Sequence, residues 1–105
     1  MSRTTLTTVT LIALVWTAML SFGGVAAETR QALANLGSLL EGEGASLADV
    51  RKTTVFLRHM RDFALMNEIY AEVFGDNRPA RSCVAVVELP MVALVEIEAW
   101  ALPSA

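Results

Sequence analysis

The segment from Ala93 to Ala101 constrains the fold more than any other part of the chain, because its side chains alternate in polarity. In an extended strand, two glutamates fall on one face and three apolar residues on the other: Glu96 and Glu98, then Val95, Ile97 and Ala99. A strand of this kind belongs to a sheet with one packed face and one more open face. We therefore predict a sheet whose apolar face is covered by other elements of the chain.

Two segments with helical periodicity can supply that cover. The first runs from about Val25 to Glu41, is followed by glycines that end it, and has leucines at spacings of three and four: Leu33, Leu36 and Leu40. The second runs from Phe63 to Phe74, with Asp62 as a predicted N-cap and Gly75 at its end. Both stripes predict helices that pack one face against a sheet.

The remaining segments predict strands and turns. Ala45 to Val50 is typical of a short helical turn, whereas Lys52 to Leu57 and Cys83 to Leu89 are rich in β-branched and apolar residues and predict strands. The order is strands, helix, strand, helix, strand, strand. This order predicts one α+β domain over residues 1–105, with a mixed sheet and two helices packed on one face.

Charge and residue counts exclude several classes of function. The net charge is −3, so the chain has no surplus of Lys and Arg with which to bind a phosphate backbone, and we expect no nucleic-acid partner. A single cysteine, Cys83, and a single histidine, His59, provide neither an internal disulfide nor a His/Cys metal cluster. We therefore expect no metal.

Residues 1–23 form an atypical apolar segment that allows two interpretations. No charged residue occurs from Thr4 to Ala27, so residues 6–27 resemble a signal peptide cleaved after Ala27, or a membrane anchor. However, Thr5 to Leu20 is rich in β-branched residues, which favour strands. Without this segment the remaining chain would have a small core. We therefore favour strands and a cytoplasmic protein, with export or anchoring as the alternative.

Several motifs follow one another in an informative order. A Pro-Ala-Arg-Ser run at Pro79–Ser82 precedes an apolar strand, a Leu-Pro turn and the closing Val-Glu-Ile-Glu-Ala strand. Further matches lie upstream, at 29–36, 44–50, 52–57 and 62–72. Together these motifs resemble the Rid (YjgF-like) family of enamine/imine deaminases over about residues 24–101.

The resemblance implies a fold and an activity. The fold would be a chorismate-mutase-like α+β subunit in a homotrimer, with sites in clefts between subunits. The activity would be hydrolysis of 2-aminoacrylate and related 2-imino acids, such as 2-iminobutanoate and 2-iminopropanoate, to 2-keto acids and ammonia. It would need neither a metal nor an organic cofactor.

The same resemblance implies roles for four residues. Arg81 would bind the substrate carboxylate, for which a planar guanidinium is well suited. Glu96 would orient or deprotonate the attacking water and carry the proton. Cys83, two residues from Arg81 and hence on the same strand face, would line the cleft through its backbone N–H, and Asn67 on the second helix would lie near the substrate.

The residues alone also allow less specific interpretations. Arg81 and Glu96 could form an ordinary cross-strand ion pair, and Glu98 could be a solvated or inter-subunit charge. Cys83 is more typical of a small buried thiol than of a nucleophile, because no histidine that could activate it is nearby in the sequence. Tyr70 is expected in the core and His59 in a surface loop.

The N-terminal part departs from the family pattern. Family members usually begin with a hairpin that carries a Gly-Pro-Tyr-Ser-type motif, followed by a strand ending in Ser-Gly-Gln, and neither motif is present here. Trp16 to Ser21 could take the place of the missing strand but lacks its polar residues. This departure leaves an alternative function open, a non-catalytic module that binds small carboxylates with an incomplete site.

Overall fold

The computed structural model describes residues 9–13 and 24–103, which form four strands and two helices. Three short 3-10 turns, Leu47–Asp49, Met60–Asp62 and Pro90–Val92, connect some of these elements. In chain order the strands and helices are β1 Val9–Ala13, α1 Gly24–Gly42, β2 Val50–Leu57, α2 Phe63–Phe74, β3 Ala80–Ala85 and β4 Val95–Ala101.

The strands form one mixed sheet in the order β1-β4-β2-β3. Strand β4 runs antiparallel to both β1 and β2, whereas β3 runs parallel to β2. A parallel neighbour requires a crossover, and α2 provides it between β2 and β3. Among the described strands, β3 therefore lies at one edge of the sheet.

The core lies between the two helices and one face of the sheet, which confirms the predicted α+β architecture. Every second residue of β4 is buried, beginning with Val95, while Glu96 and Glu98 alternate with these residues toward the other face. The leucine stripe of α1 is fully buried, and the core cluster joins it to α2 and the two central strands through Leu33, Leu36, Leu40, Val55, Leu57, Met66, Phe74, Val95 and Ile97.

Both helices begin and end within a residue or two of their predicted limits, but the predicted third strand is displaced. The sequence predicts a strand from Cys83 to Leu89, whereas β3 spans Ala80–Ala85. The reason is its partner: β3 pairs residue for residue with Lys52–Leu57, and β2 ends at Leu57. The apolar residues after Ala85 therefore have no further strand to pair with on that side.

The prediction for Asp62 is correct in position and wrong in mechanism. Asp62 precedes α2 as the N-cap residue, but its side chain makes no capping hydrogen bond. Its backbone has helical dihedral angles, φ −86° and ψ 0°, because it is also the last residue of a 3-10 turn. An N-cap side chain usually caps from an extended backbone conformation, which Asp62 does not adopt.

The N-terminal segment contributes a strand to the sheet. Strand β1 pairs with β4 from Val9 opposite Ala101 to Ala13 opposite Ile97, as the strand interpretation predicts. Helix α1 begins at Gly24, so a cut after Ala27 would fall inside its first turn. The predicted replacement strand from Trp16 to Ser21 lies outside the described residues. No helix in the described part of the chain is long and apolar enough to cross a bilayer.

Candidate active site

Arg81 lies on the edge strand β3 and extends its side chain over α2. Its Nη1 donates a hydrogen bond of 2.6 Å to Oδ1 of Asn67, one of the residues predicted to join it. Its guanidinium carbon lies 4.7 Å from the ring centroid of Tyr70 and 5.4 Å from that of Phe63. Two aromatic rings and one amide oxygen therefore hold the guanidinium, and the amide oxygen occupies only one of its donors.

A hydrogen bond to the sheet fixes the position of Tyr70. Its hydroxyl shares a hydrogen bond of 2.7 Å with the buried hydroxyl of Thr53, which pairs directly with Arg81 across the β2–β3 ladder. Burial raises the pKa of Tyr70, while the hydrogen bond to Thr53 and the positive charge of Arg81 lower it and so act in the opposite direction. The ring is therefore neutral at pH 7 and presents an electron-rich face to the guanidinium.

Cys83 lies two residues further along β3, on the same face as Arg81, as predicted. It is partly buried and packs against the core. Burial raises the pKa of its thiol, and the charge of Arg81 only partly opposes this shift. Because the thiolate is the nucleophilic form, this environment favours an unreactive thiol over a covalent catalyst.

The side of β3 that faces away from β2, which has no partner among the described strands, adds backbone donors beside these side chains. The N–H of Val86 donates to the carbonyl of Leu57 at 2.8 Å, so this group faces β2. Backbone groups alternate in direction along a strand, which directs the N–H groups of Arg81 and Cys83 away from β2 and toward the edge. The Cys83 N–H therefore points to the side of β3 that faces away from β2.

A cavity of about 390 Å³ opens next to Arg81. It lies between the second half of α2 and the start of β3, and no Asp or Glu is among the residues that line it: Asn67, Tyr70, Ala71, Phe74, Gly75, Asn77, Arg78, Pro79 and Arg81. Asn77 fixes the loop between the two elements, since its Nδ2 donates to the carbonyl of Leu47 at 2.8 Å. The cavity therefore has fixed walls and a positive lining, which suit a small anion.

Glu96 is not part of this constellation within one chain. It lies on β4 opposite Phe56, on the sheet face away from the helices, whereas Arg81 lies on the helix-covered face. Strand β2 also separates the two residues, which puts their strands about 10 Å apart. The interpretation of Arg81 and Glu96 as an ordinary cross-strand ion pair is therefore wrong.

The environment of Glu96 affects its acidity. Partial burial, and then the neighbouring negative charge of Glu98, raise the pKa of Glu96. A carboxyl group with a raised pKa gives up and takes back a proton closer to neutral pH than an ordinary one. This property suits a proton carrier, if a substrate can reach it.

Sequence reasoning did not identify Tyr70, Phe63 and Thr53 as parts of the site. Tyr70 was expected in the core, and it is buried there, but it also forms a wall of the cavity. The available signal is its spacing, because Asn67 and Tyr70 are three residues apart and so share a helix face. Among the described residues, no three His, Cys, Asp or Glu side chains come together in a way that could hold a metal ion.

Comparison with known proteins identifies the family. The family model described as Endoribonuclease L-PSP matches residues 14–102. A RutC family protein of Pyrococcus horikoshii is 53% identical over 79 residues, which are 75% of this chain and 63% of that protein. The human 2-iminobutanoate/2-iminopropanoate deaminase is 46% identical over 80 residues, which are 76% of this chain and 58% of that protein.

A solved structure agrees with these matches. Escherichia coli TdcF, determined with bound serine, superposes with a TM-score of 0.73 at 38% identity, covering 76% of this chain and 65% of that one. The chain thus spans less than two thirds of the length of these relatives. The family match, which covers most of the chain, and the motifs around Arg81 agree, so this chain belongs to the Endoribonuclease L-PSP family, the group that includes YjgF and the Rid proteins.

Proposed function

We propose that this protein hydrolyses small 2-imino acids, the class that includes 2-iminobutanoate and 2-iminopropanoate, to 2-keto acids and ammonia. The observation that carries the proposal is the position of Arg81, a half-buried guanidinium that two aromatic rings and Asn67 hold at the edge of a cavity without acidic lining. Relatives named as deaminases of these substrates, at 46 to 48% identity, support it.

The carboxylate of the substrate would bind Arg81. A guanidinium can donate two parallel hydrogen bonds to a carboxylate, and the Cys83 N–H on the side of β3 that faces away from β2 would supply another donor. The serine bound in the E. coli TdcF structure, a three-carbon amino acid, supports a ligand of this size that carries a carboxylate. Binding in this way would fix the imine carbon relative to the strand and lower the entropic part of the barrier.

The chemical step is an addition followed by an elimination. The oxygen of a water molecule forms a bond to the imine carbon, and one proton of the water passes to the nitrogen. The proton of the new hydroxyl group then passes to the amino nitrogen, the carbonyl double bond forms as the carbon–nitrogen bond breaks, and ammonia and the 2-keto acid are released. A carboxylate that accepts and returns a proton is required near the imine carbon, and Glu96 is the proposed carrier.

Because Arg81 and Glu96 of one chain lie on opposite faces of the sheet, the proposal requires a second copy. The sheet face away from the helices, which carries Glu96, also exposes apolar side chains, among them Val84, 43% exposed, and Trp100, 40% exposed. Exposed apolar surface of this kind favours association. We propose a homotrimer in which Glu96 of one copy faces Arg81 of the next.

The experiment is release of 2-keto acid and ammonia from freshly generated 2-aminoacrylate, which tautomerises to the imine. Arg81→Ala should lower kcat/KM by about a hundredfold, or roughly 2.7 kcal/mol of barrier. Arg81→Lys should retain only part of the activity, since an ammonium group cannot donate two parallel hydrogen bonds to one carboxylate as a guanidinium does. Arg30→Ala is the control, because Arg30 forms an exposed ion pair with Glu72 on the outer helices.

Three outcomes separate the possibilities. Activity that is unchanged in Arg81→Ala would refute the assigned role. Arg81-dependent binding of 2-keto acids without any imine hydrolysis would support the non-catalytic binding module instead. A mass in solution that corresponds to one chain, together with full activity, would refute the shared site.

A further inference from the structure

The cavity beside Arg81 contains a second cation that the proposed reaction does not use. Arg78 lines the same cavity three residues before Arg81, and no acidic residue lines it. The chain as a whole carries a net charge of −3, whereas this cavity is lined by two arginines and no acidic residue. The local charge is therefore opposite in sign to the net charge. Such a local excess of positive charge favours a ligand with more than one negative charge.

Neither arginine is neutralised by a carboxylate within the described part of the chain. Arg78 is exposed, and the hydrogen bond of Arg81 goes to a neutral amide oxygen. The described ion pair joins Arg30 to Glu72, away from this cavity. Both guanidinium groups therefore keep donors available for a ligand.

The size of the cavity also exceeds the needs of the smallest substrates. A volume of about 390 Å³ falls in the range that holds much larger ligands than a three- or four-carbon acid. The Cα atoms of Arg78 and Arg81 are at most about 11 Å apart, because three residues of chain connect them. Two arginine side chains at this separation can reach both ends of one five-carbon acid.

We infer that this site, if it acts as proposed above, prefers 2-imino and 2-keto acids that carry a second carboxylate at the far end of the chain. Arg81 binds the carboxylate next to the reacting carbon, and Arg78 binds the distal carboxylate. Arg78 is thus a specificity-determining residue and takes no part in the bond changes. Its contribution is modest, since it is exposed to water and salt.

The test compares two keto acids with the same number of carbons. 2-Oxoglutarate and 2-oxopentanoate differ in their distal group, which is a carboxylate in the first and a methyl in the second. Calorimetry at low salt should show about three- to fivefold tighter binding of 2-oxoglutarate, the range that an exposed ion pair supplies. The preference should decrease as potassium chloride is raised.

Variants locate the preference. Arg78→Gln should abolish it while leaving the affinity for 2-oxopentanoate unchanged, and Arg78→Lys should keep most of it. Arg81→Gln should weaken the binding of both acids. Arg51→Gln, which removes one exposed positive charge elsewhere, is the control for net charge and should behave like the unmodified protein.

The outcomes separate this inference from the proposed function. Binding of 2-oxopentanoate that depends on Arg81, without a preference for the diacid, would overturn only the role of Arg78. A preference that persists in Arg78→Gln would do the same. If neither acid binds, this inference fails, while the proposed reaction is judged separately by turnover of 2-aminoacrylate. The measurement needs no turnover, so a protein that binds the diacid but hydrolyses no imine would retain this inference and lose the proposed reaction.

Discussion

The hydroxyl groups of Tyr70 and Thr53 lie 2.7 Å apart, and this contact joins α2 to β2 directly beside Arg81. Both residues are buried, and the ring of Tyr70 lies 4.7 Å from the guanidinium carbon. The sheet thus fixes the ring, and the ring in turn supports the cation. Arg81 is on a strand that has one neighbour among the described strands, so this support from α2 restricts where its side chain can point.

Tyr70 variants should separate the two functions of the residue. Tyr70→Phe keeps the ring beneath Arg81 but leaves the buried Thr53 hydroxyl unpaired, so the free energy of unfolding should fall by about 1–3 kcal/mol with little change in binding of 2-oxopentanoate. Tyr70→Leu also removes the cation–π contact, so binding should weaken about threefold or more. Urea unfolding and calorimetry measure the two effects.

A double variant provides the control for this prediction. Thr53→Val combined with Tyr70→Phe removes both hydroxyl groups and should recover much of the stability lost by Tyr70→Phe, because no buried polar group remains unpaired. If Tyr70→Phe and Tyr70→Leu weaken binding equally, the hydroxyl and not the ring face supports Arg81. That result would contradict the proposed arrangement.

Glu96 should make stability depend on pH in a defined direction. Its pKa is raised above the ordinary value of 4.5 by burial and by the charge of Glu98. The folded chain therefore holds a proton that the unfolded chain has already lost, and the contribution of this group to stability decreases as pH rises from about 4.5 through the folded-state pKa. Below this window the contribution is fully present.

Unfolding by urea between pH 4 and pH 7, at fixed protein concentration, tests this sign. The stability of Glu96→Gln relative to the unmodified protein should increase across the window, because glutamine does not titrate. Glu98→Gln should reduce the effect without abolishing it, since burial is the larger cause. A difference of opposite sign in the unassociated chain would contradict the prediction, whereas in the proposed homotrimer the guanidinium of Arg81 from the next copy would oppose the shift and lower the pKa of Glu96.

Glu28 provides a test of how the start of β4 is held. Its Oε1 accepts a hydrogen bond of 2.8 Å from the N–H of Leu94, the residue before β4. The residue is 2% exposed, and its Oε2 has no hydrogen-bond partner in the described part of the chain. Glu28→Gln keeps an acceptor oxygen for the N–H of Leu94, so it should lower the free energy of unfolding less than a substitution that removes the acceptor.

The contrasting substitution is Glu28→Leu, which leaves the N–H of Leu94 unpaired. It should lower the free energy of unfolding by about 1–3 kcal/mol, as expected for a buried donor without an acceptor. Urea unfolding at pH 7 compares the three proteins. If Glu28→Gln loses as much stability as Glu28→Leu, the carboxylate charge itself is required, contrary to this interpretation.

The sequence correctly predicts elements whose residues have a strong local period. It does not predict the limits of a strand when the neighbouring strand determines them. The stripe of Leu33, Leu36 and Leu40 identifies α1 almost to its ends, because burial on one helix face requires that spacing. The observed limits of β3 differ from the predicted ones because they follow the limits of its partner β2. The register of a parallel strand pair cannot be read from the residues of an edge strand alone.

The same distinction applies to the site. The resemblance implies that Arg81 and Asn67 lie together, and a hydrogen bond joins their side chains; their roles toward a substrate remain predictions. Alternation along β4 correctly predicts that Glu96 lies on the sheet face away from its apolar residues. Which sheet face carries Arg81 depends on the pairing of Arg81 with Thr53 of the neighbouring strand. Without that register, the separation of Arg81 and Glu96 by the sheet could not be predicted.

The arrangement of Arg81 and Glu96 leads to a complementation experiment. If each site combines Arg81 of one copy with Glu96 of the next, Arg81→Ala and Glu96→Ala should each be inactive alone. In mixed trimers refolded together from equal amounts, a site is intact when its first copy retains Arg81 and its second retains Glu96. Each condition is met about half of the time, so about one quarter of the original activity should return.

Two controls make this result decisive. The same variants mixed after folding, without refolding, should stay inactive unless subunits exchange, which shows that activity requires new interfaces. A protein that carries both substitutions, refolded with the unmodified chain, should also give about one quarter, because a site is then intact only when both of its copies are unmodified. Recovery in the first mixture identifies a site shared between copies. Its absence, with about one half of the original activity in the second mixture, would place both residues in the same chain's site, which the opposite faces of the sheet do not permit without rearrangement of β3 or β4.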